Sequence, residues 1–362
     1  YYTVSYYLGN GSTNAAYQKL TQTVEEGTVV IFAKVPARTG YVNQGWSSKK
    51  NSEKATAKAK CTVNKNITLY AVQKKAVQLT FHRCDGSTWQ KTTLAKGSSY
   101  SLPGVRDAEG YTFMGWSTKP MQSVSPQYEA EEKITVNGNV DLYAVVFNRT
   151  TETDLTEDQL PQVDIYKYKQ VIFVGDSRTE FMENVLTGMG ESATKNVKFV
   201  CSAGKGLDWF TTTGWAQLYS IVQHDSNSIL SKKTAVIFNF GVNDLSKSAD
   251  YAEYYNWIAP QLKSKGCELY FMSVNPVNRL MLPNAGRADR SEAAVRSFNQ
   301  YMKANLSSAY TYIDMYSYLK STGYSFASDH YGTGTVDDGL HYTTRTYKRI
   351  FAKCMDSLRV PA

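Results

Sequence analysis

Four largely apolar runs in the second part of the chain set the pattern of its secondary structure. Each is rich in β-branched or aromatic residues and breaks at glycine or a polar residue: residues 170–174, 197–201, 235–240 and 268–274. Such runs predict strands buried on both faces, as in a parallel sheet. A helical pattern lies between them, for example over 290–306, and a weaker fifth strand is predicted over 310–314. This alternation predicts a parallel sheet covered by helices on both faces.

The first 150 residues show β-rich runs that end in turns, and the pattern occurs twice. Two segments recur at offsets of 70 and 73 residues: Gly40–Ser47 as Gly110–Ser117, and Ile67–Val72 as Val140–Val145. A repeat of this length is typical of a small domain in tandem. We predict two small β-rich modules with Trp46 and Trp116 in their cores, because large aromatic side chains dominate small cores. Stacking of these two side chains on a sugar is the less favoured interpretation.

Charge divides the chain at the same place. The net charge is +8, with 18 basic and 10 acidic residues in 1–150 and 22 of each in 151–362. The basic residues form no run, so we expect no specific nucleic-acid partner and interpret them as solubilising charge or as contact with an anionic polymer. The segment 149–168 is polar and acidic, which predicts a linker. The predicted domains are therefore 1–74 and 75–148 for the repeats, and 169–362 for the α/β part.

Composition excludes several classes of protein. No run of 18 apolar residues occurs, so no transmembrane segment is expected. The five cysteines show no C-x-x-C spacing and the chain has four histidines, which argues against a structural zinc site. Unpaired thiols are favoured over a disulfide framework. The chain begins Tyr-Tyr-Thr, and we interpret it as a processed or trimmed product.

Four short motifs in the second part carry candidate chemistry. They are Gly175-Asp176-Ser177, the glycines of 204–206, Gly241-Val242-Asn243-Asp244, and Asp338-Gly339-Leu340-His341. The first three follow predicted strands, so they should meet at the carboxyl edge of the sheet, where open α/β sheets bind ligands. Asp338 could hold one nitrogen of His341 while the other faces Ser177, the arrangement that activates a serine nucleophile. Asp244 is interpreted as a structural residue that bonds nearby backbone.

The first 147 residues resemble the Listeria–Bacteroides repeat, also called the internalin-type B repeat. The G-Y-x-x-x-G-W-S and (I/V)-x-L-Y-A-V motifs carry the resemblance in both copies. The resemblance implies small β-grasp-like modules of secreted or surface-attached bacterial proteins, which serve as spacers or adhesive units.

Residues 168–362 resemble the SGNH hydrolases, a branch of the GDSL esterases and lipases, through the four motifs in this order. The resemblance implies a three-layer flavodoxin-like α/β fold and a role for each motif residue. Ser177 would be the nucleophile, His341 the general base and Asp338 the group that orients His341. The oxyanion hole would use the backbone N–H of Ser177, the side-chain amide of Asn243 and a backbone N–H of Gly206, with Gly204 as the other alignment. Arg178 stands where the family's name-giving motif has Leu.

These resemblances together imply a secreted or cell-surface bacterial serine esterase. Its substrate would be a small acylated molecule or a polysaccharide carrying short acyl groups, with no metal or organic cofactor. A loop over 275–290 could line the site, with Arg279 available to an anionic substrate. Two alternatives stay open: an adhesin whose repeats carry the main role by binding a cell-wall polymer or glycan, and a lipase for longer acyl chains, at which only Trp209-Phe210 hints.

Overall fold

A computed structural model describes residues 1–164, 167–224, 233–283, 289–327 and 338–358. The chain divides into two units: Tyr1–Ser101 with Lys133–Leu142, and Leu102–Glu132 with Tyr143–Ala362. The second repeat therefore contributes residues to both units.

The first unit is built on one long strand. Its elements are β1 (Tyr2–Tyr7), α1 (Ala15–Gln18), β2 (Gln22–Val24), β3 (Val29–Ile31), β4 (Tyr41–Ser47), β5 (Lys60–Thr62), β6 (Ile67–His82), β7 (Thr88–Ala95), β8 (Ser98–Ser101) and β10 (Lys133–Val136). Strand β6 pairs in parallel with β1 and antiparallel with β4 over its first part, and antiparallel with β7 over its second part. The predicted β-rich character of the repeats is confirmed.

The repeated Gly-Trp pair has a local structural cause. Strand β4 bulges where it pairs with β6, and Gly45 lies at the bulge with a φ of 123°, a backbone conformation that favours glycine. Trp46 follows it into the core, 6% exposed, and its indole N–H donates to the carbonyl of Ala33 at 2.6 Å. Trp116 is fully buried and donates in the same way to the carbonyl of Pro103 at 2.9 Å. Both tryptophans are core residues, as predicted.

The second unit contains a five-stranded parallel sheet. Its strands are β12 (Tyr168–Gly175), β13 (Val197–Cys201), β14 (Lys233–Asn239), β15 (Cys267–Met272) and β16 (Tyr310–Ile313), in the order β13-β12-β14-β15-β16. Outside the parallel sheet, β9 (Tyr111–Ser117) pairs antiparallel with β11 (Val140–Asn148), whose first three residues belong to the first unit. In the parallel sheet the first strand along the chain lies between the second and the third. This is the flavodoxin-like order, with a topological switch point between β12 and β14.

Helices cover both faces of this sheet. They are α2 (Ser177–Thr187), α3 (Leu207–Trp209), α4 (Trp215–His224), α5 (Ser248–Ser264), α6 (Glu292–Asn305), α7 (Met315–Thr322) and α8 (Thr344–Asp356). Strand β12 shows the two faces directly, because Ile172 packs with Phe210 and Phe298 on one side while the neighbouring Phe173 packs with Met182 and Ile350 on the other. The predicted three-layer α/β architecture is confirmed. None of the described helices is long and apolar enough to cross a bilayer.

Candidate active site

The site begins where β12 turns into α2. Asp176 caps the helix by accepting a hydrogen bond from the backbone N–H of Arg178 at 3.0 Å, and Ser177 is the first helical residue. Gly175 is required here because a Cβ at that position would lie 2.0 Å from Oγ1 of Thr179. The turn therefore presents Ser177 at the carboxyl edge of the sheet and at a helix N-terminus, where backbone N–H groups favour negative charge.

Three side chains that are distant in sequence meet at this turn. Oγ of Ser177 lies 2.9 Å from Nε2 of His341, and Nδ1 of the same imidazole lies 2.6 Å from Oδ2 of Asp338. All three residues are at least 94% buried. The other carboxylate oxygen of Asp338 accepts the backbone N–H groups of Leu340 and His341 at 2.8 and 2.7 Å. These bonds fix the rotation of the carboxylate, so that Oδ2 faces the imidazole.

The imidazole is also fixed from its flanks. The ring of Phe181, one turn along α2 from the serine, meets the His341 ring edge-on with 4.6 Å between centroids. The carbonyl of His341 accepts the backbone N–H of Ala327 at 2.7 Å. A histidine held on all these sides needs no rearrangement to stay in line with Ser177.

Two further motifs flank Ser177 because of the strand order. Gly175 pairs with Cys201 of β13 on one side and with Asn239 of β14 on the other. The loops that follow these strands carry Gly206 and Asn243. They contact each other, since Nδ2 of Asn243 donates to the carbonyl of Lys205 at 2.8 Å.

The amide of Asn243 has one permitted orientation. Arg290 donates to its Oδ1 at 2.8 Å and to the carbonyl of Val242 at 3.1 Å. A guanidinium can only donate and a carbonyl can only accept, so the Asn243 oxygen must face Arg290 and its NH₂ group must face Lys205. One N–H of that amide donates to the carbonyl of Lys205. The second N–H is held in place as well, because it belongs to the same NH₂ group.

The glycine-rich loop is shaped by Asp244. Its carboxylate accepts the backbone N–H of Leu207 at 2.9 Å and the hydroxyl of Tyr251 at 2.7 Å, which agrees with the predicted structural role. A Cβ on Gly206 would lie 2.4 Å from that carboxylate. Gly204 has a φ of 69° and open space around it. Gly206 is therefore the glycine in direct contact with the Asn243-Asp244 motif, and Gly204 serves the turn.

Arg178 occupies the position after the serine and is 2% exposed. Its guanidinium donates three hydrogen bonds, all to backbone carbonyls: to Leu340 at 3.0 Å, to Asn275 at 3.0 Å and to Pro276 at 2.9 Å. It also lies over the ring of Tyr342 at 5.3 Å. The side chain thus ties the turn between β12 and α2 to the loop of His341 and to the loop that follows β15.

Asp176 is buried beside this cluster, and its carboxylate forms no ion pair with any residue that the structure describes. Burial raises the pKa of Asp176 to about 6, although the nearby positive charge of Arg178 opposes the shift. The carboxyl group is a helix cap, and its protonation changes within a pH range that enzymes commonly meet.

Two residues that the sequence suggested as substrate contacts, Arg279 and Phe210, have structural roles. Arg279 forms an ion pair with Glu131 at 3.3 Å, so its charge is engaged within the second unit. Phe210 is fully buried in the core beneath the sheet, whereas the neighbouring Trp209 is partly exposed. Asp337 and His330, which we interpret from the sequence as solvated or surface residues, lie outside the described residues. The sequence indicates neither the contact of Arg290 with Asn243 nor the three hydrogen bonds of Arg178, because no local motif accompanies them.

Comparison with known proteins gives two family matches. A family described as GDSL-like lipase/acylhydrolase matches residues 171–354, and the Listeria–Bacteroides repeat domain matches residues 2–72 and 78–145. A search of curated proteins found no match.

Several solved structures are similar to the chain. The catalytic domain of peptidoglycan O-acetyltransferase A from Streptococcus pneumoniae is 16% identical with a TM-score of 0.32, over 53% of this chain and 92% of that one. An acetyl xylan esterase is 11% identical with a TM-score of 0.36, over 52% and 100%. An α/β hydrolase from the metagenome of Lake Arreo, Spain, is 11% identical with a TM-score of 0.35, over 52% and 94%.

Proposed function

The chain belongs to the GDSL-like lipase/acylhydrolase family, and from that premise we propose that it is a serine esterase that removes short acyl groups, O-acetyl above all, from a carbohydrate or cell-wall substrate. The observation that carries the proposal is the unbroken line of hydrogen bonds from Ser177 through His341 to Asp338, at 2.9 and 2.6 Å. We assign Ser177 as nucleophile, His341 as general base and Asp338 as the group that orients it.

The first half of the reaction forms an acyl-enzyme. Oγ of Ser177 attacks the ester carbonyl carbon while Nε2 of His341 takes the hydroxyl proton. Asp338 stabilises the imidazolium that forms, because its Oδ2 accepts the Nδ1–H. The tetrahedral intermediate then collapses, the bond from carbon to the alcohol oxygen breaks, and His341 returns the proton to the leaving alcohol.

The negative charge on the carbonyl oxygen needs donors that are already in place. The N–H of Ser177 at the start of α2, the N–H of Gly206 and the amide of Asn243 supply three neutral donors around one position. Arg290 supports this arrangement by fixing which end of the Asn243 side chain carries the hydrogens. In the second half of the reaction, water attacks the acyl carbon while His341 takes a proton from it. The bond from that carbon to Oγ of Ser177 then breaks, His341 returns the proton to Oγ, and the acid is released.

The character of the site's rim supports a large polar substrate with a small acyl group. Ala203, Gly204 and Lys205 are exposed next to the proposed oxyanion hole, so a polymer has room to lie across it. Of the aromatic pair Trp209-Phe210 that suggested a lipase groove, Phe210 is buried in the core and Trp209 is partly exposed. The basic first repeat and the family of both repeats support a location outside the cell, secreted or at the surface, with contact to anionic wall polymer or glycan as a second role.

Chain-length preference tests the proposal. We expect the chain to hydrolyse p-nitrophenyl acetate, with turnover of the longer esters falling steeply from butyrate to octanoate. The Ser177→Ala variant should hydrolyse none of these esters. A preference for octanoate would favour a lipase, and equal acetate turnover in the variant would exclude the assignment of Ser177.

The proposed role of the repeats needs a separate measurement. The full-length Ser177→Ala variant binds substrate without consuming it, so sedimentation with purified cell-wall material measures binding alone. Strong binding by a chain whose wild-type form has no esterase activity would favour the adhesin alternative.

A further inference from the structure

The second repeat and the hydrolase share one buried core. Met114, Val145 and Phe147 lie in the same apolar cluster as Phe173 of β12 and Ile350 of α8. These residues all belong to the second unit, which includes Leu102–Glu132. This part of the repeat is packed as an integral layer of the hydrolase, in contrast to a spacer joined by a linker.

A buried carboxylate of the repeat takes part in this packing. The side chain of Asp107 is 1% exposed. Its Oδ2 accepts from the guanidinium of Arg149 at 2.7 Å, and its Oδ1 accepts from the backbone N–H of Phe113 at 2.9 Å and from Nδ2 of Asn278 at 2.8 Å. The first two bonds lie within residues of the repeat and its exit. The third reaches the loop that follows β15.

Asn278 relays this contact to the site. Its Nδ2 also donates to the carbonyl of Val105 at 3.1 Å, and its Oδ1 accepts the N–H of Leu280 at 3.1 Å, so the side chain has a single orientation. Its backbone N–H donates to the carbonyl of Gly339 at 2.8 Å. Gly339 has a φ of 65°, and a Cβ there would lie 2.4 Å from the carbonyl oxygen of Asn278. The two backbones are therefore in direct contact.

Gly339 is joined to Asp338, whose carboxylate must stay within hydrogen-bond distance of His341. We propose that Asp107 of the second repeat is a positioning residue for the Asp338–His341 pair and acts through Asn278 and Gly339. The inference rests on the proposed function. The second repeat would then be part of the catalytic unit, and the hydrolase would depend on it for turnover as well as for stability.

The test compares two carboxylates of the same repeat in the full-length protein. Asp107→Ala removes the acceptor for Asn278, whereas Asp107→Asn keeps one oxygen for it. The matched control is Glu129→Gln: Glu129 pairs with the buried Lys320 at 2.9 Å and has no contact with the 278–280 loop among the described residues. We expect Asp107→Ala to lose about tenfold in kcat with KM changed less than about twofold, since small displacements of reacting groups are costly. Asp107→Asn should recover most of that loss.

A second readout does not depend on the ester chosen. A fluorophosphonate reacts when Oγ of Ser177 bonds to phosphorus, fluoride leaves and His341 takes the proton. Its rate of labelling should fall in parallel with kcat in Asp107→Ala and stay unchanged in Glu129→Gln. Both variants should melt a few degrees lower than wild type, so stability alone does not separate them.

Wild-type kcat and labelling rate in Asp107→Ala would overturn the inference, as would an equal loss in Glu129→Gln. If Asp107→Ala does not fold, Asn278→Ala removes the same link while keeping the Asp107–Arg149 pair, and the same kinetic loss is expected; wild-type kinetics there would overturn the inference. A wild-type protein that neither turns over p-nitrophenyl acetate nor reacts with the fluorophosphonate overturns the proposed function, and this inference with it. Labelling of wild type and Asp107→Ala at one rate overturns the inference alone.

Discussion

Replacing Arg178 by Leu removes a side chain that ties the turn at Ser177 to two other loops of the site. Leu is the residue of the family's name-giving motif, so the substitution restores the more familiar sequence. In this chain, however, the guanidinium fills three backbone acceptors, at Leu340, Asn275 and Pro276. One of them is joined directly to His341. We expect Arg178→Leu to lower both stability and turnover.

The acceptors set the size of the effect. The carbonyl of Pro276 also accepts the hydroxyl of Tyr342 and keeps that partner. Among the described residues, the carbonyls of Leu340 and Asn275 accept from Arg178, so Arg178→Leu leaves both of them without that partner. Leaving a buried acceptor without a partner costs about 1–3 kcal/mol, so two of them cost about 2–6 kcal/mol, and the apolar Leu offsets about 1 kcal/mol. The net cost is then about 1–5 kcal/mol, and at about 2–4 °C per kcal/mol the second unit should melt roughly 2–20 °C lower.

Turnover supplies the second measurement. The free carbonyl of Leu340 lets the next residue, His341, move relative to Ser177, and about a tenfold loss of kcat follows with little change in KM. Assays with p-nitrophenyl acetate run well below the melting point of the variant separate this loss from unfolding. Arg178→Lys keeps the charge and part of the donor set, and its effects should be intermediate. A leucine variant that melts within about 2 °C of wild type and keeps its kcat would refute the reasoning.

Three other substitutions have distinct expected results. Asp338→Asn should lower kcat by about 10⁴-fold, because its Oδ1 keeps the backbone N–H groups while Nδ2 faces Nδ1 of His341 and forces the wrong tautomer; a loss under about tenfold would contradict this. Asn243→Ala should lower kcat by about 10²–10³-fold and the melting point by a few degrees, because the Lys205 carbonyl and Arg290 each lose a partner, and equal losses in kcat and in substrate affinity would contradict a transition-state role. Asp176→Asn should abolish one contribution to the pH dependence of stability. In the folded wild type the pKa of Asp176 is raised from 3.8 to about 6, so the folded protein retains a proton between pH 4 and 6 that the unfolded chain has lost. The free energy of unfolding therefore falls by about 3 kcal/mol as pH rises through that window. Denaturant unfolding of both proteins from pH 4 to 8 checks this, and parallel curves would refute it.

Local patterns were sufficient for the α/β architecture and for the positions of the site motifs. A strand buried on both faces must be apolar at consecutive positions, and the run before Gly175 has this property because Ile172 and Phe173 pack in opposite cores. The glycines at the strand ends were visible for the same kind of reason, since Gly175 and Gly206 have neighbours that exclude a Cβ. These constraints act within a few residues and leave a trace in the sequence.

Contacts between distant segments leave no such trace. Arg178 looked like a neutral departure from a motif, because its three acceptors are backbone carbonyls about 100 to 160 residues away, and a backbone carbonyl has no residue identity. Arg290 reaches Asn243 across 47 residues. Phe210 was ambiguous for a different reason: an aromatic residue after a glycine-rich loop is compatible with a groove and with a core, and only the packing of α3 and α5 onto the sheet decides between them.

The division of charge along the chain also changes meaning once the contacts are known. Residues 1–100 carry 14 basic and 4 acidic side chains, whereas residues 101–150 carry 4 and 6. Three carboxylates of residues 101–150 bind partners inside the second unit: Asp107 binds Asn278 and Arg149, Glu129 binds Lys320, and Glu131 binds Arg279. A paired and largely buried carboxylate contributes little to the field outside the protein. The excess of positive charge that could attract an anionic polymer lies in the first repeat, residues 1–74, which carries 10 basic and 3 acidic side chains, whereas residues 75–148 carry 7 of each. We therefore expect the two repeats to have different roles. The basic first repeat should attract an anionic polymer, whereas the second repeat, whose acidic residues contact the hydrolase, should support the proposed Asp338–His341 pair.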